Sequence, residues 1–161
     1  MRELRIAFIK TLEELAKKDK GVMLLNDDTG FSLFEDFEKK FPDQYINCGI
    51  TEQTIMGIAA GLARSGRRPY VYGIIPFATM RCYEQLRDDV CYHNANVKIV
   101  GVGGYQYYKF LGFTHNVEES EDIKILEHLP NIKIHTPKTQ KEVKRVLQKE
   151  YKRKGPAYIR L

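Results

Sequence analysis

Six short runs of this chain are largely apolar, with no regular polar alternation, and a helical pattern separates each run from the next. The runs are 22–25, 45–47, 70–75, 97–102, 132–135 and 157–161. A strand with no polar alternation has both faces covered, and parallel strands need a crossover between them. A helical pattern over 2–18 precedes the first run, and others fill the crossovers over 32–40, 51–63, 80–92, 121–129 and 138–153. The first of these shows apolar residues at helical spacing from Leu4 to Ala16, and Ser32 is a cap candidate for the second. The predicted fold is α/β: a doubly wound, mostly parallel sheet with helices on both faces. At 161 residues the chain is expected to form a single domain, 1–161, with room for a real core.

In open sheets of this kind ligands bind beyond the carboxyl ends of the strands. The loops expected there are 26–30, 49–52 and 103–120. The second of them leads into an unusual helix. Asn47-Cys48-Gly49-Ile50-Thr51-Glu52-Gln53 is a strand end, a glycine turn and a helix start, and no charge follows Glu52 until Arg64. Read alone, Glu52 is a favourable charge at a helix start. The Ala-, Gly-, Ile- and Met-rich helix behind it implies burial, and a carboxylate beside a dry wall can trade a proton with a ligand.

Other motifs exclude more than they offer. Gly101-Val102-Gly103-Gly104-Tyr105-Gln106 starts like a dinucleotide fingerprint, but Gln106 stands at the third glycine and no helix opens there. There is no GxxxxGK[ST]. Cys48, Cys82 and Cys91 form neither a disulfide framework nor a zinc site. No signal peptide or spanning segment is visible, which gives the expectation of a cytoplasmic protein with no membrane partner. The net charge of +5 points weakly to an anionic partner. Its basic clusters, Lys17-Lys18 and 141–154, read first as solvated helix faces rather than a nucleic-acid patch.

The stretch from Phe41-Pro42-Asp43-Gln44 through Gly49-Ile50-Thr51-Glu52-Gln53 resembles the pyrimidine-binding domain of transketolases and 1-deoxyxylulose-5-phosphate synthases, which are thiamine diphosphate enzymes. The similarity continues at Ala59-Ala60-Gly61-Leu62-Ala63, Arg81-Cys82-Tyr83-Glu84-Gln85, Thr114-His115-Asn116, and Leu129-Pro130-Asn131 leading to Thr136-Pro137. The resemblance implies that Glu52 hydrogen-bonds N1′ of the cofactor's aminopyrimidine. That favours the imino tautomer, whose 4′ nitrogen can deprotonate C2 of the thiazolium for carbon–carbon cleavage beside a carbonyl. It also implies Asp27, Ile50, Phe77 and Tyr83 at the cofactor, with Phe77 as the stacking candidate although it stands one place off the family's phenylalanine. His115 and Arg81 would face a carbonyl substrate, and His115 would handle its proton or hydroxyl. Phe77 and Tyr83 can also be read as core aromatics.

The chain departs from the family in two ways. Leu111-Gly112-Phe113 stands where the family has an aspartate-glycine pair, and Tyr105, Tyr107, Tyr108 and Phe110 form an aromatic run of its own. No Gly-Asp-Gly with a downstream asparagine is present, so the resemblance implies that a partner subunit holds Mg2+ and the diphosphate. The diphosphate-binding domain and the transketolase C-terminal domain are missing from this stretch. The expectation is therefore one subunit of a split, transketolase-like transferase or lyase in an α2β2 assembly, with no metal ligands of its own. A non-catalytic pairing subunit and a basic nucleic-acid-binding module are the alternatives.

Overall fold

The computed structural model describes residues 2–104, 108–112, 115–118 and 120–161. Six strands form one sheet: β1 (Val22–Asn26), β2 (Tyr45–Asn47), β3 (Arg68–Ile74), β4 (Lys98–Val102), β5 (Lys133–His135) and β6 (Ala157–Arg160). Their order is β2-β1-β3-β4-β6-β5, and every pairing is parallel. The register sets Leu24 beside Tyr70 and Tyr70 beside Lys98. All strand ends of one kind therefore lie along one edge.

Strand residues alternate between two cores. Met23, Leu25, Val71, Ile99 and Tyr158 face a layer of α3 (Glu52–Arg64), the helical stretch 77–92 and α5 (Glu121–Leu126). Val22, Leu24, Tyr70, Tyr72, Val100 and Ile159 face α1 (Arg2–Lys18), α2 (Glu35–Lys40) and α6 (Gln140–Lys152). The predicted two-sided parallel sheet is the observed one.

Helix boundaries differ from the sequence pattern where local hydrogen bonds outweigh periodicity. Ser32 does not cap α2. It sits at φ 59°, its own N–H donates to Glu35 Oε1, and the helix begins at Glu35. Thr139 is the cap of α6: its hydroxyl accepts from the Glu142 N–H while Glu142 accepts from the Lys138 N–H. The helical stretch starts at Phe77, three residues earlier than its pattern suggests. It winds as a π-helix over Phe77–Arg81, an α-turn over Tyr83–Gln85 (α4) and a π-helix again over Leu86–Tyr92. Among the described residues no helix is long and apolar enough to cross a membrane.

Candidate active site on the carboxyl edge of the sheet

Gly49 turns the chain at φ 66° between β2 and α3, held by an Asn47 side-chain oxygen that accepts its N–H. That turn aims the first residue of α3 back over the sheet edge. Glu52 is 5% exposed there, although a free carboxylate is normally solvated. Arg81, from the π-helical turn after β3, donates from Nη1 to Glu52 Oε1 at 2.6 Å. The same guanidinium lies 4.0 Å from the centre of the Phe77 ring.

Phe77 and Arg81 stand four apart at the two ends of one π-helical turn, a spacing that puts both side chains on one face. Phe77 presents its edge to His115, with ring centres 4.8 Å apart. Tyr108 approaches the same imidazole from another side at 5.7 Å. His115 adopts a left-handed backbone, φ 64°, and its Nδ1 is buried with no hydrogen-bond partner among the described residues. A buried, unpaired ring nitrogen carries a cost in a resting protein, and a ligand that pairs with it removes that cost.

Asp27 follows β1 directly and is also buried. Its Oδ1 accepts from the Thr29 hydroxyl at 2.6 Å, and a Cβ at Gly73 would meet its Oδ2 at 2.5 Å. Only glycine in β3 leaves room for this carboxyl. Burial pushes the Asp27 pKa up to about 6. The Thr29 hydrogen bond opposes the rise, and the nearby charges of Glu52 and Arg81 act in opposite directions. Asp27 can therefore hold or release a proton near neutral pH.

Glu52, Asp27, Phe77, Arg81 and His115 thus come together from the segments that leave four strands, β1 to β4, at one sheet edge. Ile50 stands at the rim, 74% exposed. Tyr83 turns elsewhere: its hydroxyl donates to the Ile125 carbonyl and lies 3.0 Å from His128 Nε2, so it ties the helical stretch to α5. Phe113, Thr114, Tyr105 and Tyr107 lie outside the described residues. Phe110 is 81% exposed. A neighbouring cavity of about 430 Å³, lined by Ile75, Gly103, Ser120 and Arg160 among others, includes none of the five clustered residues. Among the described residues no group of three His, Cys, Asp or Glu side chains could hold a metal ion.

Sequence reasoning missed three supporting groups. Thr29 and Gly73 act only through Asp27, and neither belongs to a recognisable spacing. The Arg81–Glu52 ion pair spans 29 residues, which periodicity does not reveal.

The family model for the transketolase pyrimidine-binding domain matches residues 1–161. An apulose-4-phosphate transketolase subunit of Phocaeicola vulgatus is 37% identical over 98% of this chain and 50% of its own length. A putative transketolase C-terminal section from Methanocaldococcus jannaschii is 33% identical, again over 98% of this chain and 50% of its own. The chain spans about half the length of the curated relatives it matches. A solved split-gene transketolase, described as an inactive beta4 tetramer, superposes with a TM-score of 0.86 at 33% identity over 98% of this chain and 50% of that one. Fold, edge cluster and relatives agree, and the chain belongs to the family of transketolase pyrimidine-binding domains.

Proposed function

We propose that this chain is the aminopyrimidine-binding part of a split, thiamine diphosphate-dependent transketolase-type transferase. It is active when paired with a diphosphate-binding subunit in an α2β2 assembly. The observation that carries the reading is a buried glutamate, Glu52, at the start of a 13-residue helix on the ligand-bearing edge. The partner holds the diphosphate and its Mg2+, because this sequence has no segment built for them.

When bound, thiamine diphosphate supplies a carbon nucleophile that adds to a carbonyl and accepts the electron pair of the broken carbon–carbon bond. The residues of this chain orient it and manage protons. Glu52 takes the hydrogen bond of the ring nitrogen N1′, and Arg81 fixes which carboxylate oxygen faces outward. Phe77 gives the pyrimidine an aromatic wall, and Ile50 adds apolar contact at the rim. Asp27 serves as a second proton-holding group beside the ring. Tyr83 supports the site from behind by anchoring the segment that carries Arg81. His115, with its unpaired Nδ1, holds a hydroxyl or proton of the carbonyl substrate, and Arg81 offers its exposed side to a substrate anion.

The substrate is a ketose-like or 2-oxo compound; the name of the Phocaeicola vulgatus relative, an apulose-4-phosphate transketolase subunit, favours a ketose phosphate. Three free cysteines suit a reducing cytoplasm. Glu52→Gln in the reconstituted enzyme tests the reading. The neutral amide cannot share the proton, so kcat is expected to fall by about 10²–10⁴-fold with assembly unchanged. Turnover near wild type would move the non-catalytic pairing role ahead.

A further inference from the structure

The amino edge of the sheet, at the opposite end of the strands from Glu52, carries a second concavity of about 450 Å³. Its walls are the turns that feed β3, β4 and β6. Six cations line it: Arg64, Arg67, Arg68, Lys152, Arg153 and Lys154. No carboxylate does. Arg68 is neutralised by Asp19 at 2.6 Å and Arg153 by Glu150 at 2.7 Å. Arg67 donates to the Lys20 carbonyl, which leaves its charge uncompensated. Arg64, Lys152 and Lys154 are exposed and have no carboxylate partner among the described residues. Four unneutralised cations therefore surround one cleft, in a chain whose whole net charge is +5. The basic run 141–154 is only in part a solvated helix face; its last turns wall this cleft.

The cleft is also built rigidly. Lys98, 2% exposed, donates to the carbonyls of Arg153 at 3.3 Å and Gly155 at 2.6 Å, which fixes the loop between α6 and β6. Gly155 sits at φ 100°, and a Cβ there would meet Asn94 Oδ1 at 2.6 Å, so the two turns lock together. The backbone turns that carry the cations are held in place before binding, so an anion has only their side chains to order. The volume falls in the range of small-molecule sites.

The geometry points to a binding site for a small polyanion carrying two or more phosphate groups, separate from the chemistry at Glu52. Five-residue strands span roughly 17 Å, so a ligand here touches neither Glu52 nor Asp27. A single-stranded nucleic acid is the poorer fit. It needs a continuous groove with open aromatic faces, and the lining aromatic, Tyr151, has its ring covered by the Arg68 guanidinium at 5.3 Å.

Calorimetric titration of the chain with inorganic tripolyphosphate tests the site. One saturable site per chain is expected at about 50 mM salt, weakening as salt rises to about 200 mM. An Arg64→Ala, Lys152→Ala, Lys154→Ala variant should bind at least about tenfold more weakly, and Lys154→Ala alone should show part of that loss if the triple variant is unstable. Lys39→Ala with Lys124→Ala, on helices away from the cleft, should leave binding unchanged. Three results would each overturn the assignment: no saturable binding at low salt, equal affinity in wild type and triple variant, or displacement of tripolyphosphate by a much tighter oligoribonucleotide. The last would assign the cleft to nucleic acid.

Discussion

Asp27 shows how one side chain can serve a site at the expense of the fold. The unfolded chain releases its proton near 3.8, whereas the folded chain keeps it up to about 6 because burial disfavours the charge. The folded state therefore binds the extra proton between those values. The stability Asp27 contributes is full below 3.8 and is lost as pH rises through 6. Asp27→Asn cannot ionise and keeps an acceptor for the Thr29 hydroxyl. It should be more stable than wild type above pH 6, by up to about 3 kcal/mol, with the difference closing toward about pH 4. Urea unfolding of both proteins at about pH 4 and about pH 8 measures this, and an equal difference at both would show a solvated carboxyl. Glu52 and His115 were legible in the sequence because each sits in a quotable motif. The environment of Asp27 was not, since its burial depends on the missing side chain of Gly73 in a strand 46 positions away.

At the scale of elements, what periodicity reports is burial, and burial was read correctly: the apolar runs became the six parallel strands. What it cannot report is hydrogen-bond pattern within a helix, so the π turns of 77–92 and the late start of α2 stayed hidden. Polar staples across elements were hidden as well. Glu150 of α6 is fully buried and lies 3.4 Å from Lys98 of β4, with His135 and Arg153 on its other contacts. Burial alone would raise its pKa, yet the His135 hydrogen bond and the Lys98 and Arg153 partners pull it down to about 2. Burial pushes Lys98 the opposite way from a free lysine, down to about 8, despite the Glu150 charge. Glu150→Gln strands a buried ammonium without its counter-charge and should cost about 3–5 kcal/mol in equilibrium unfolding near neutral pH. Lys98→Met in that background removes the stranded charge and should recover part of the loss. A loss below about 1 kcal/mol would mean that Lys98 is hydrated or sheds its proton and does not depend on the Glu150 charge.

Across the whole molecule, the two strand edges have opposite characters. The amino edge is cationic, with a cleft walled by its own turns. The carboxyl edge carries Phe31, Ile50 and Phe110 with exposures of 80%, 74% and 81%, each on a loop leaving β1, β2 or β4. Large apolar side chains exposed on the edge that also holds Glu52 and Asp27 are costly in an isolated chain, and a second surface that covers them removes that cost. The proposed diphosphate-binding subunit supplies that surface, and the same contact would dry the Glu52 group. Ile50→Asp should then weaken assembly by roughly thirtyfold while leaving the circular dichroism spectrum of the chain unchanged. Activity should be lost at low subunit concentration and largely recovered at high concentration with saturating thiamine diphosphate, because Ile50 gives the cofactor only apolar contact and Glu52 is intact. Glu52→Gln predicts the reverse: normal assembly and a turnover that no concentration restores. Analytical ultracentrifugation of the mixed subunits beside an activity titration separates the two. If Ile50→Asp assembled with wild-type affinity, this rim would face solvent, and the partner would have to cover another part of the edge.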